Sequence, residues 1–141
     1  MTNLDPVYLR DLATQIGFLS AFLGGFAGTL LAVLLQTNTE KRSGIWVIGA
    51  CTFSATAFVT SVIGSTRVIT MLHPNAPDLV AAGSENDVWR VLTFNSFGLG
   101  VYAILITIGL SGWLHSKQAG YVTSSIAALG IILVTSALMG G

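Results

Sequence analysis

The amino-acid sequence predicts an all-α integral membrane protein with four transmembrane helices. Of its 141 residues, 52% are hydrophobic and only 9% are charged, whereas soluble domains carry about 25% charged residues. Six basic and six acidic residues leave no net charge, which excludes nucleic-acid binding through bulk charge. The mean hydropathy of +0.77 excludes a disordered chain, because disorder requires low hydrophobicity and high charge.

Four stretches of the chain contain no charged residue, and each is long enough to cross a membrane alone. They are residues 12–36, 45–66, 91–114 and 119–141. Crossing the hydrocarbon core takes roughly 20 helical residues, and the short alternating strands of a barrel are not seen. We therefore expect residues 1–141 to form one four-helix domain, a multi-pass protein of the cell membrane. The basic residues divide equally between the two sides, so the orientation stays open.

The ends of the predicted helices carry recognisable signals. Asp5 and Pro6 fit an N-cap and a first helical position, so helix one is expected to begin before its apolar stretch. Ser84–Asp87 fits a capping box ahead of helix three. Indole rings favour the membrane interface. Three tryptophans lie at span edges, namely Trp46, Trp89 and Trp113.

Helix one has a face of small residues. The helical period places together Gly17, Ser20, Ala21, Gly24, Gly25, Gly28 and Ala32. Glycine lowers the stability of a helix unless it allows another helix to pack closely against it. Gly24-x-x-x-Gly28 is a packing motif of membrane helices. Two interpretations stay open: the face packs on a helix of the same subunit, or it lines the shared axis of an oligomer.

Helix two has a small stripe of its own. Its members are Ala50, Ser54, Ala57, Ser61 and Gly64. We expect this stripe to pack closely on a neighbour, for which the small face of helix one is a candidate. On the other side of the helix, Thr52, Thr56 and Thr60 are expected to bond back to their own helix carbonyls. Helix four has only scattered hydroxyl residues and is expected to be peripheral.

Three polar residues are candidates for ligand binding or pairing: Arg67, Asn95 and Tyr102. Asn95 lies deep in its span, so a hydrogen bond to another helix is expected, and Tyr102 falls on the same helix face. Arg67 lies near the end of helix two. It could reach the water, pair with Asp87 or Glu85, or form a charged ring in an oligomer.

Several kinds of chemistry are missing from the sequence. No ionisable residue lies in the middle of a span, which disfavours coupled transport. The single cysteine excludes a disulfide within the chain and a cysteine-cluster metal site. No nucleophile–base order, phosphate-binding loop or pair of carboxylates is found. We therefore expect no enzyme activity, no catalytic residue, no metal, no cofactor and no nucleic-acid partner.

Short runs in the first three spans, and in the segment that follows the second, resemble the Orai family of calcium-channel subunits. The matching runs are Leu23-Gly24-Gly25-Phe26-Ala27, Ala50-Cys51-Thr52, Met71-Leu72-His73-Pro74-Asn75 and Ser111-Gly112-Trp113. The resemblance implies an oligomer whose first helices surround a central pore. Val33 stands at the position of the family's filter glutamate, and the basic inner stretch is reduced to Arg10. The resemblance therefore implies the layout but not calcium selectivity.

Three functions are consistent with these observations. The first is an oligomeric pore or ion channel with helix one at or near the central axis. Its lining or packing residues would be Gly17, Ala21, Gly24, Gly28, Leu31 and Leu35, and its mouths would carry Asp11 and Glu40. The second is a non-catalytic subunit or anchor with a heteromeric membrane partner. The third is a protein that binds a lipid or small molecule. Membrane lipids and other copies of the chain are the expected partners.

Overall fold

The computed structural model describes residues 6–36, 42–73 and 85–140. They form four α-helices: α1 (Pro6–Gln36), α2 (Arg42–Met71), α3 (Glu85–His115) and α4 (Lys117–Met139). Each helix contains a segment that is long and apolar enough to cross a membrane. The prediction of an all-α chain with four helices that are long and apolar enough to cross a membrane is confirmed. Its assembly into a homo-oligomer and its place in the cell membrane stay predictions.

The helices extend beyond the uncharged stretches from which they were predicted. α1 begins at Pro6 and α3 at Glu85, which agrees with the N-cap and capping-box signals. The 31 residues of α1 correspond to about 46 Å, which exceeds the roughly 30 Å of hydrocarbon. At the start of α4, the Ser116 hydroxyl accepts the Ala119 N–H at 3.1 Å, a cap that the sequence analysis did not identify.

The helices pack in chain order. α2 and α3 form the central pair, α1 packs on α2, and α4 packs on α3. α1 touches α3 only slightly, and within the described ranges α4 makes no extensive contact with α1 or α2. Only 11% of the apolar window of α1 is buried, as for α4, compared with 39% for α2. Helix four is peripheral as expected, and so is helix one within a single chain.

The apolar core lies where α1, α2 and α3 meet. Phe58 of α2 is fully buried against Ala27 and Ile104, and its ring meets that of Phe97 edge-on at 6.2 Å between centroids. A Cβ at Gly100 would lie 2.9 Å from the Phe58 ring. Glycine at this position therefore lets α3 approach the aromatic ring of α2.

Buried hydroxyls join the three helices. Ser20 of α1 donates to the Ser61 hydroxyl of α2 at 3.0 Å, and Ser61 donates to the Thr93 carbonyl of α3 at 3.2 Å. Ser54 donates to the Gly100 carbonyl at 3.0 Å. Such bonds between membrane helices contribute about 0.6 kcal/mol each on average. They fix the register of α2 against both of its neighbours.

The small stripe of α2 faces mainly α3. Ser54 bonds to α3, a Cβ at Gly64 would collide with the Thr93 hydroxyl, and Ser61 contacts both neighbours. The stripe therefore does pack closely, and Ser61 is the stripe residue that bonds to α1. On the exposed side, each threonine hydroxyl bonds to a carbonyl four residues earlier, as predicted for Thr52, Thr56 and Thr60.

Glycines bring α3 and α4 together. A Cβ at Gly112 would lie 2.6 Å from the Ala119 carbonyl oxygen, and one at Gly109 would lie 3.0 Å from the Ala127 Cβ. The Thr123 and Ser124 hydroxyls of α4 both donate to the Gly109 carbonyl, at 3.0 and 3.1 Å. Glycines and hydroxyl-to-carbonyl bonds therefore join α3 to α4, as they join α2 to α3.

Candidate functional site

The interior of the described chain offers no unpartnered polar side chain around which a site could form. Every buried side-chain nitrogen and oxygen in residues 6–36, 42–73 and 85–140 has a hydrogen-bond partner. The two clefts described below open on the outside of the helices. A functional surface must therefore be sought on the faces that point to lipid or to another copy of the chain.

The small face of α1 divides into two halves with different surroundings. On the inner half, a Cβ at Gly17 would lie 3.1 Å from the Ser65 Cβ, and one at Gly24 would lie 3.2 Å from the Phe58 Cβ. On the outer half, a Cβ at Gly25 or Gly28 would meet nothing within 4 Å. Packing inside one subunit therefore accounts for only half of the small face.

The outer half belongs to a continuous exposed stripe along α1, which we call the outer face. Its residues are Asp11, Thr14, Phe18, Ala21, Gly25, Thr29, Ala32 and Gln36, all of which are exposed. Beside its centre lies a cleft of about 320 Å³ between α1 and α2, whose lining includes Ala21, Gly25 and Val59. Polar side chains lie at both ends of the outer face, and small ones occupy most of its middle.

The sequence-predicted pore residues are distributed over different sides of α1. Gly17 and Gly24 lie against α2, whereas Ala21 and Gly28 are exposed. Leu31 is half-buried. Of the remaining predicted residues, Leu35 is exposed and lies about 80° around the helix from Gly25. At the predicted mouths, Asp11 is exposed, and Glu40 lies outside the described residues.

Arg67 lies on the surface at the other end of α2 from Trp46. Its guanidinium carbon is 5.8 Å from the centre of the Trp89 ring on α3, a cation–π distance. The side chain is exposed, which is compatible with the prediction that it reaches the water. The side chains of Glu85 and Asp87, its predicted acidic partners, lie outside the described part of the chain.

Asn95 and Tyr102 have different partners. The Asn95 amide donates to the Val91 carbonyl of its own helix at 2.9 Å. The expected bond from Asn95 to another helix is not formed among the described residues, because this side chain is exposed. Tyr102 does contact another helix, since its hydroxyl lies 2.9 Å from the Thr135 hydroxyl of α4. Arg67, Asn95 and Tyr102 therefore each have a separate set of contacts.

A larger apolar cleft, which we call the tryptophan cleft, lies between the start of α2 and the end of α3. Its volume is about 530 Å³, and it is lined by Trp46, Ala50, Ile106, Leu110 and Trp113. The two helices are antiparallel, so both tryptophans lie at the same membrane surface. The sequence identified both as interfacial residues, but it did not show that α2 and α3 bring them to one cleft.

Comparisons with known proteins found no matching family model, no matching curated protein and no matching solved structure. In the part of the chain that the structure describes, no group of three or more His, Cys, Asp or Glu side chains could hold a metal ion. The function must therefore be argued from the two exposed surfaces, the outer face of α1 and the tryptophan cleft.

Proposed function

We propose that the chain is the subunit of an oligomeric membrane pore, with the outer face of α1 beside the central axis. The observation that carries this proposal is the exposed stripe from Asp11 to Gln36, which runs along the whole apolar part of α1. A face directed only at lipid has no need of small and polar residues along its length. A face that surrounds a narrow water path can use both, since small residues let the helices approach one another and polar ones contact the water.

The polar groups of the outer face suit a weakly polar path. The Thr14 and Thr29 hydroxyls donate to the Arg10 and Gly25 carbonyls at 2.8 and 2.9 Å. Since each hydroxyl donates its hydrogen to its own helix, its oxygen lone pairs remain available as acceptors. Several copies around an axis would thus present rings of oxygen acceptors, which favour cations or water.

Phe18 is the largest side chain of the outer face, and 73% of its surface is exposed. In the proposed pore, a ring of Phe18 side chains forms an apolar constriction that gates by dewetting. Asp11 lies toward the nearby mouth, next to the exposed Arg10. Acidic and basic side chains alternate there, so we expect only weak selectivity between ions.

Cysteine scanning of α1 tests this placement. The chain has one cysteine, Cys51, which donates to the Ala27 carbonyl at 3.2 Å, so Cys51→Ser gives a cysteine-free background that keeps a donor. Single cysteines at Ala21, Gly25 and Thr29 should make the conductance of reconstituted protein sensitive to a membrane-impermeant thiol reagent. Cysteines at Leu19 and Phe26 are the matched controls, because both are exposed but lie about 100° or more around the helix from Gly25.

Three results would change the proposal. Equal block at the control positions would remove the outer face from the axis. Block at Val33 instead of Gly25 would indicate the rotation of α1 that the Orai resemblance implies, with Val33 turned inward by about 80°. An absence of conductance in well-folded protein would favour the alternative, a non-catalytic subunit of a larger membrane complex.

A further inference from the structure

The tryptophan cleft has a prearranged wall. The Trp113 indole N–H donates to the Ser124 hydroxyl of α4 at 3.0 Å, and its ring lies 5.1 Å from that of Tyr121 between centroids. A Cβ at Gly120 would lie 2.6 Å from the Trp113 ring. Contacts with α4 therefore hold Trp113 in place, and this wall of the cleft keeps its position without an occupant.

The opposite wall of the tryptophan cleft is more open. Trp46 is 70% exposed, and among the described residues its indole N–H has no hydrogen-bond partner. Interfacial indoles donate to water or to lipid head groups while their rings contact the acyl chains. Ala50 lines the cleft one helical turn further along α2 than Trp46 and leaves the space that a larger side chain would fill.

A basic residue lies at the start of α4, the helix that packs on Trp113. α4 begins at Lys117, four residues after Trp113, and Lys117 is exposed with no ion-pair partner within the described ranges. The first N–H groups of α4 add the partial positive charge of a helix N-terminus. A phosphate group at this membrane surface would therefore find a cation and a helix N-terminus beside an apolar cleft.

The size of the cleft favours an acyl chain over a protein helix. One turn of a helix about 10 Å wide occupies roughly 420 Å³, so a cleft of about 530 Å³ holds little more than a single turn. A stable helix–helix contact extends over several turns. A flexible acyl chain, by contrast, can lie along a narrow cleft whose polar end is at the interface.

We propose that the tryptophan cleft binds one anionic phospholipid, with an acyl chain between Trp46 and Trp113 over Ala50. The lipid phosphate lies near Lys117 and the N-terminus of α4. This site is on the opposite side of α2 from Val59 and Ile63, which lie beside the outer face of α1. The inference therefore does not depend on the proposed pore.

Native mass spectrometry of the purified full chain tests this site. The probes are palmitoyl-oleoyl phosphatidylglycerol and its neutral counterpart, phosphatidylcholine, added in equal amounts. The wild-type chain should retain one phosphatidylglycerol, and Ala50→Leu should lower the retained fraction at least tenfold by filling the cleft. Ala128→Leu is the matched control, because Ala128 is an exposed alanine of α4 and does not line the cleft.

Two more variants make the test independent of the folding of Ala50→Leu. Ile106→Trp should also block retention, since Ile106 is 45% exposed and a larger ring there obstructs the cleft from outside. Lys117→Gln should leave lipid bound but abolish the preference for phosphatidylglycerol. The proposal is overturned if Ala50→Leu and Ile106→Trp retain lipid as well as Ala128→Leu does. It is also overturned if the wild-type chain shows no preference, or if both variants change only the oligomeric state.

Discussion

Two groups of glycines in this protein differ in what surrounds them. Gly24, Gly100 and Gly112 lie where a Cβ would press on a neighbouring helix, at 2.6–3.2 Å, whereas Gly25 and Gly98 face open space. Contacts within the single chain explain the first group, because the missing side chain lets the helices approach closely. They do not explain the second group, whose glycines are each about 1 kcal/mol less favourable in a helix than alanine and make no close contact in return. A small residue in a membrane helix is therefore evidence of close packing only once its surroundings are known.

The largest contrast between the groups is expected on α3. Gly112→Ala should lower the free energy of unfolding by about 3 kcal/mol, the upper end for overpacked sites, because the added Cβ meets the Ala119 backbone at 2.6 Å. Gly98→Ala is the control on the same helix, with nothing within 4 Å. Unfolding in mixed detergent micelles measures both variants. Equal stability of the two would show that α3 and α4 are not as close as described.

A smaller effect is expected from the hydroxyls that join the helices. Ser61→Ala removes the bonds to the Ser20 hydroxyl and the Thr93 carbonyl, at about 0.6 kcal/mol each, so a loss of about 1 kcal/mol is expected. Thr56→Ala is the control, because Thr56 is exposed and bonds only within α2. A loss at Thr56 as large as that at Ser61 would contradict the role given to the bonds between helices.

The smallest effect is expected at Gly25, and its sign is reversed. Gly25→Ala should stabilise the isolated subunit by up to about 1 kcal/mol through helix propensity, while it narrows the path along the outer face of α1 and lowers the conductance. Unfolding of the dissociated chain and the conductance of reconstituted protein measure the two effects separately. If the conductance is unchanged, Gly25 does not line the path.

The fold was predictable because the thickness of the bilayer sets the length and the apolar character of each helix that spans it. Four uncharged stretches are sufficient to predict four helices, whatever their mutual packing. The start of α1 at Pro6 and that of α3 at Glu85 follow from local capping signals, which depend on only a few neighbouring residues. The back-bonded threonines of α2 were predictable for the same reason, since each partner carbonyl lies four residues earlier.

The candidate sites were predictable only in part. The sequence placed seven small residues on one face of α1, but it could not divide them between α2 and the outside. The expected interhelical bond of Asn95 presumed a neighbour, and in the described chain the Asn95 side chain is exposed. The tryptophan cleft was missed because Trp46 and Trp113 are far apart in sequence. Only the antiparallel packing of α2 on α3 brings them together.

The sequence by itself determined that the chain is apolar and helical, with four helices long and apolar enough to cross a membrane, because each property depends on composition and local spacing. The tertiary structure decided which side of each helix is covered. That choice depends on contacts between residues such as Ser20, Ser61 and Thr93, which are distant in sequence. In lipid, hydrophobicity does not distinguish an inner from an outer face, so close packing and hydrogen bonds between helices make the distinction.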